Sequence, residues 1–141
     1  MRLRFSRTAD YGLRAALQIA RAPSGELVTR HAIAEAVNAP PSVLAQALAS
    51  LVRCGVLAAQ AGPRGGYRLA RPAGEVSILE VVTAIDGAHQ NERCVLRDGA
   101  CDAEHPCPFH AFFVDAQERF SDALSSATLA DVISGRPVPS G

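Results

Sequence analysis

The segment TRHAIAEAVNAPPSVLAQALASLVRCGVLAAQAGPRGGYRL, residues 29–69, carries the pattern of two short helices followed by a hairpin. Thr29 is the predicted N-cap of a helix that ends at Val37. Pro41 suits the first position of a second helix, which runs to about Cys54, because its missing N–H has no intrahelical partner there. Gly55 then supplies a left-handed C-cap. Two short helices joined by a tight turn predict a helix-turn-helix.

The residues after the second helix predict a β-hairpin. Two short apolar segments, 56–59 and 67–70, flank a tip rich in glycine and proline that contains Arg64. With the helix-turn-helix this makes a winged helix, which places its second helix in the major groove of DNA and its wing near the minor groove or the backbone. We therefore expect DNA contacts from Arg2, Ser42, Gln46, Arg53, Arg64 and Tyr67.

The charge distribution supports a polyanionic partner for the first half of the chain. The 141 residues carry no net charge, yet residues 1–71 hold ten arginines and three acidic residues, whereas residues 72–141 hold four arginines and eleven acidic residues. A basic half beside an acidic half is typical of a nucleic-acid-binding module. An apolar fraction of 48% is that of an ordinary globular domain. No apolar run is long enough to span a membrane and no signal peptide is evident, so we expect a cytoplasmic protein.

The sequence offers no positive evidence for an enzyme. It has no Ser/His/Asp or Cys/His arrangement at catalytic spacing and no glycine-rich phosphate loop after a strand. We therefore expect a non-enzymatic protein.

The second half of the chain predicts helices on either side of a loop. A capping box at Ser77 and Glu80 opens a helix to about Asp86. Residues 89–105 lack a regular period and predict a loop. A long helix from Phe109 to about Ser125 then carries an aromatic stripe, which packs either on the protein's own core or on a second copy. We expect dimerisation through Phe109, Phe112, Phe113, Ala116 and Phe120.

Three cysteines in and beside this loop form the candidate metal site. Their spacing is Cys94-x6-Cys101-x5-Cys107, with His110 three residues further on. In a cytosolic chain, clustered cysteines more often bind metal than form disulfides. Zinc would favour a closer Cys pair, whereas a loop with three spread thiolates suits an iron–sulfur cluster with one non-cysteine ligand. Cys54 stands apart, and we expect it to be a small buried hydrophobic residue.

At this point the chain resembles the winged-helix iron–sulfur regulators of the IscR, NsrR and RirA type, over roughly residues 1–134. The resemblance rests on the three cysteines and on four further segments, which read DYGLR (10–14), GPRGGYRL (62–69), SILEVV (77–82) and TLADV (128–132). It implies a homodimer that crosses through its long helix and holds one cluster per subunit. The state of the cluster would then alter the affinity for promoter DNA.

The resemblance leaves two candidates for the fourth ligand, and the sequence offers His105 as a third, weaker one. His110 matches the histidine that completes a [2Fe-2S] site in IscR-type proteins. Asp10 matches the position from which NsrR-type proteins supply a carboxylate, across the dimer, to a [4Fe-4S] cluster. Each residue also has a simpler explanation, since Asp10 suits the first turn of a helix by its charge and His110 suits a helix surface. The gap between the first two cysteines is one residue longer than is usual in these relatives.

We therefore expect a mainly α fold with a small β-hairpin. Its parts are a winged helix-turn-helix DNA-binding domain (1–75), a cluster-binding loop with a dimerisation helix (76–134) and a flexible tail (135–141). The expected function is a transcriptional repressor controlled by an iron–sulfur cluster, with [4Fe-4S] favoured over [2Fe-2S], that senses nitric oxide or redox stress. The alternatives are an IscR-like [2Fe-2S] regulator of cluster biogenesis or iron homeostasis, and a zinc-stabilised interaction module.

Overall fold

The computed structural model describes residues 5–87, 108 and 110–135, apart from the side chains of His110 and Phe113. The fold is mainly helical with one small hairpin, as predicted. The described residues contain six α-helices: α1 (Arg7–Arg21), α2 (Arg30–Val37), α3 (Pro41–Arg53), α4 (Ile78–Asp86), α5 (His110–Ser126) and α6 (Leu129–Ser134).

The boundaries of the first three helices follow from their capping residues. The hydroxyl of Ser6 accepts the main-chain N–H of Ala9 and caps α1, and Thr29 caps α2 in the same way through Ala32. Pro41 occupies the first turn of α3, and Gly55 follows that helix with a φ of 80°. The predicted helix-turn-helix is confirmed to within a residue or two at each end.

The wing is a two-stranded antiparallel sheet of β1 (Leu57–Gln60) and β2 (Gly66–Leu69). Compared with the prediction, β1 begins one residue later and β2 begins one residue earlier. Gly65 and Gly66 are required by close packing: a Cβ on Gly66 would stand 2.6 Å from the carbonyl oxygen of Val28. Val28 in turn forms a bridge to Tyr67, so the segment before α2 lies against the hairpin.

The core is built around α1, which packs against α2, α3, α4 and α6. Gly12 lets the helices approach closely, since a Cβ there would lie 2.1 Å from Cδ1 of Ile85 and 3.3 Å from Cβ of Ala47. One continuous cluster joins both halves of the chain, and its largest fully buried side chains are Ile33, Leu44, Leu48, Leu51, Val56, Leu57, Val76, Val81 and Leu129.

A main-chain contact connects the start of α4 to the start of α6. The segment before α4 pairs with the segment before α6 through a bridge between Ser77 and Thr128, and Thr128 forms a complete capping box with Asp131. The capping box predicted for α4 is only half formed. The Ser77 hydroxyl accepts the N–H of Glu80, but the Glu80 carboxylate pairs with Arg71 at the root of the wing.

One burial prediction is wrong. Cys54 is exposed rather than buried. It is the C-cap residue of α3, where φ and ψ of −87° and 3° turn the chain away from the buried face of the helix toward Gly55. Among the described helices, none is both long enough and apolar enough to cross a membrane.

Candidate nucleic-acid interface

One face of α3 is exposed along its whole length. Ser42, Gln46, Ala49 and Arg53 are exposed at steps of four, three and four residues, which places them in one row, while Leu44, Leu48 and Leu51 on the opposite face are buried. Three of the residues predicted to contact DNA therefore share a surface. The arrangement suits a recognition helix, in which polar side chains near the N-terminus face base edges.

Arg53 ends this row. One of its Nη atoms donates to the hydroxyl of Ser50 at 3.3 Å, and the side chain is otherwise exposed. A guanidinium at the end of a recognition helix can reach a phosphate while its stem stays in place.

Arg64 lies in the exposed turn between β1 and β2, as predicted. Gly62 enters this turn with a φ of 105°, and the N–H of Gly65 donates to the carbonyl of Gly62 at 2.9 Å. The closed turn holds Arg64 at the tip of the hairpin. Arg2 lies outside the described residues.

Tyr67 is not a free side chain. Its hydroxyl accepts a hydrogen bond from Nη2 of Arg30 at 2.7 Å, and the Arg30 guanidinium carbon lies 5.9 Å from the centre of the tyrosine ring. Arg30 was not among the residues predicted to contact DNA, although the sequence contained a signal for it. A basic residue directly after the N-cap of the first helix of a helix-turn-helix stands where that helix crosses the DNA backbone. A groove between α2 and the wing runs beside this pair.

Of the predicted cluster ligands, only the side chain of Asp10 is described. It lies in the first turn of α1, where its carboxylate is 3.0 Å from Nη2 of Arg14; the two side chains are 47% and 55% exposed. Tyr11 lies between Arg7 and Arg14, whose guanidinium carbons are 5.7 and 5.9 Å from its ring centre. The first turn of α1 is thus a charged, accessible surface.

The side chains of the remaining ligand candidates lie outside the described part of the chain. Cys94, Cys101 and Cys107 lie outside the described residues, and His110 begins α5 without a described side chain. No three His, Cys, Asp or Glu side chains come together within the described part of the chain. The helix that precedes this region in the sequence is described. Its last residue, Asp86, contacts Ser6 at the start of α1. The end of α4, the last described element before the cysteines in the sequence, therefore lies against the start of α1, one turn before Asp10.

The structure describes the side chains of three of the five residues predicted for dimerisation. Phe112 is 68% exposed, and Val114 on the same helix is also exposed. Phe120 instead stacks on Phe5 of its own chain, with ring centres 6.0 Å apart. Ala116 is partly buried, and Phe109 and the side chain of Phe113 lie outside the described part. Phe112 and Val114 thus present exposed apolar side chains near the start of α5, whereas Phe120, further along the helix, packs within the subunit.

Comparison with known proteins agrees with this architecture. The model of the Rrf2 family, described as an iron-dependent transcriptional regulator, matches residues 5–135. A Mycobacterium tuberculosis protein assigned as an HTH-type transcriptional regulator is 34% identical over 136 residues, which cover 94% of this chain and 83% of that protein. The transcriptional regulator IscR of Cronobacter sakazakii is 29% identical, with 96% and 83% covered.

A solved structure shows the same fold at lower identity. The structure of CymR, the global cysteine regulator of B. subtilis, has a TM-score of 0.77 at 20% identity and covers 96% of this chain and all of its own. At that identity the likeness concerns the fold alone.

Proposed function

The chain belongs to the Rrf2 family of transcriptional regulators, and we propose that it represses promoters by binding DNA with α3 and the wing. The observation that carries the proposal is the exposed row of Ser42, Gln46 and Arg53 on α3, in a module whose wing presents Arg64 at its tip. Members of the Rrf2 family are transcriptional regulators and not enzymes.

The chemistry of these side chains suggests separate tasks. Gln46 can form paired hydrogen bonds with an adenine edge, and Ser42 can donate to or accept from either base pair. Arg53 would bind a phosphate, which fixes the register without reading sequence. Arg64 suits a narrow minor groove, whose negative potential attracts arginine.

We propose that two copies bind a two-fold symmetric operator. The exposed Phe112 and Val114 on α5 offer an apolar surface for a second subunit. A symmetric dimer presents two recognition helices, and these match half-sites about one helical turn apart.

We further propose that Cys94, Cys101 and Cys107 hold an iron–sulfur cluster. Three thiolates and one oxygen or nitrogen donor form a set that suits a cluster with one labile iron. When bound, such a cluster supplies an iron that reacts with nitric oxide or with oxidants. The described residues fit this role at one point: Asp10 offers an accessible carboxylate one turn from the Ser6 contact with α4, the last described element before the cysteines in the sequence.

Asp10 is our preferred fourth ligand, in a [4Fe-4S] site. Its ion pair with Arg14 is about half exposed, and exposed pairs contribute little, about 0–1 kcal/mol. The carboxylate can therefore give up its ion pair with Arg14 and bind iron with little loss of free energy.

An IscR-like regulator with a [2Fe-2S] cluster and His110 as fourth ligand is the alternative to this preferred [4Fe-4S] site. The similarity to IscR of Cronobacter sakazakii favours it. A zinc-stabilised interaction module remains the third possibility for the cysteines, and its signature is a colourless protein that unfolds with a chelator.

The experiment compares two cysteine variants, Cys101→Ala and Cys54→Ala. Cys54 is exposed and outside the proposed ligand set, so its replacement controls for the loss of a thiol. Each protein is purified anaerobically, its iron is measured, and its affinity is determined for a duplex selected from a randomised pool. We expect Cys101→Ala to fold, dimerise and lose both the cluster and the response of DNA binding to nitric oxide, while Cys54→Ala keeps both. An unchanged response in Cys101→Ala would refute the proposal.

A further inference from the structure

The contact between Arg30 and Tyr67 joins the first residue of α2 to the second residue of β2. The guanidinium both donates to the phenol oxygen, at 2.7 Å, and lies against the ring. The two residues are 37 positions apart in the sequence. The contact therefore gives the helix-turn-helix a side-chain connection to the wing.

The main chain at the same position is also paired across this junction. The N–H groups of Val28 and Tyr67 each donate to the other's carbonyl at 2.8 Å. Gly66 packs against the Val28 carbonyl so closely that a side chain would not fit. Tyr67 is thus held through its backbone by Val28 and through its hydroxyl by Arg30, while Arg64 lies only three residues away in the tip of the hairpin. Any rotation of the wing must disturb both attachments.

We propose that Arg30 is a positioning residue for DNA binding, which acts through Tyr67 to hold the wing so that Arg64 reaches the DNA. The inference rests on the proposed function and deepens it. It also gives Tyr67 a different part in DNA binding: its hydroxyl, which accepts from Arg30, holds the wing in position, and Arg64 makes the contact with DNA.

A direct phosphate contact from Arg30 is the competing explanation, because the side chain is exposed and a guanidinium has five N–H donors. The two roles differ in their dependence on Arg64. A positioning residue loses its effect once Arg64 is removed, whereas a phosphate contact weakens binding to the same extent with or without Arg64. A phosphate contact also contributes about one unit to the salt slope of binding.

The test is a double-mutant cycle on the full-length protein with a duplex selected from a randomised pool. The variants are Arg30→Ala, Tyr67→Phe and Arg64→Ala, alone and combined, with Arg30→Lys as the conservative substitution. Arg119→Ala, on α5, is the charge-matched control. Melting temperatures of all variants separate lost folding from lost binding.

We expect Arg30→Ala and Tyr67→Phe each to weaken binding severalfold, up to roughly tenfold, and to have almost no effect in the Arg64→Ala background. Tyr67→Phe leaves the salt slope unchanged, and Arg30→Lys, which can still donate to the hydroxyl, restores part of the affinity. Additive effects of Arg30→Ala and Arg64→Ala, with a smaller salt slope for Arg30→Ala, would overturn the inference in favour of a phosphate contact. Wild-type binding by Arg64→Ala itself would instead contradict the proposed DNA-binding role of the wing.

Discussion

Asp86, the last residue of α4, accepts two hydrogen bonds from Ser6, the N-cap of α1. The Ser6 main-chain N–H donates to Oδ2 at 3.0 Å, and its hydroxyl donates to Oδ1. The same hydroxyl accepts the N–H of Ala9. One serine thus caps the central helix and attaches it to the helix that leads into the cysteine-bearing segment.

Replacing Ser6 should therefore cost more than the loss of an ordinary cap. Thr29→Ala is the matched control, because Thr29 caps α2 and none of its described contacts resembles the Asp86 pair. We expect Thr29→Ala to lower the free energy of unfolding by about 1 kcal/mol. Ser6→Ala should lower it by roughly 2–3 kcal/mol, because it also removes the hydrogen bond from the hydroxyl to the charged Asp86 carboxylate, while the main-chain N–H of residue 6 keeps its own. Urea denaturation of both variants measures the difference, and equal costs would show that the Asp86 contact adds nothing.

The close packing at Gly66 predicts a specific failure of the wing. Gly66→Ala places a methyl group 2.6 Å from the Val28 carbonyl, so β2 must move away and the bridge to Val28 opens. We expect a loss of about 1–3 kcal/mol of stability and a large loss of DNA affinity. Gly74→Ala is the control, since a Cβ at Gly74 meets no atom within 4 Å. Wild-type affinity in Gly66→Ala would contradict the placement of the wing.

Arg53 should contribute to DNA binding through charge and without sequence preference. Removing one phosphate contact lowers the slope of log affinity against log salt by about one. We expect this change for Arg53→Gln, with a similar loss of affinity on every duplex. Arg119→Gln should leave the slope as it is, because Arg119 lies on α5 in an ion pair with Asp115. An unchanged slope in Arg53→Gln would remove Arg53 from the interface.

Gln46, in contrast to Arg53, should contribute sequence preference and not charge. Its exposed position in the second turn of α3 suits a base edge, and one base contact contributes about 1–3 kcal/mol of discrimination. We expect Gln46→Ala to weaken binding to the selected duplex while non-specific binding and the salt slope are preserved. The measurement is competition between the selected duplex and duplexes altered at single positions. A uniform loss on all duplexes would argue that Gln46 does not read bases.

Local sequence signals predicted the helix-turn-helix and the wing because each boundary is set by a residue close in sequence. Thr29, Pro41 and Gly55 act on their own turn, so their type and position suffice. The burial of Cys54 was predicted from residue type alone and was wrong, because the helix ends there and turns the residue outward.

The contacts that bind distant segments could not be predicted in the same way. Arg30 with Tyr67, Ser6 with Asp86 and Arg71 with Glu80 depend on how the elements pack. Glu80 shows the difference clearly: its local pattern predicts a capping box, but a guanidinium from the wing root competes for the carboxylate. The aromatic stripe of α5 likewise could not show that Phe120 packs on Phe5 of its own chain.

The most direct test of the central claim is the content of iron, sulfide and zinc per chain in anaerobically purified protein, together with its visible absorption spectrum. We expect a coloured protein with about four iron and four sulfide ions per chain, and loss of this content in Asp10→Ala. About two irons, sensitive to His110→Ala instead, would support the [2Fe-2S] alternative. A colourless protein that holds zinc on its cysteines would contradict cluster control of DNA binding.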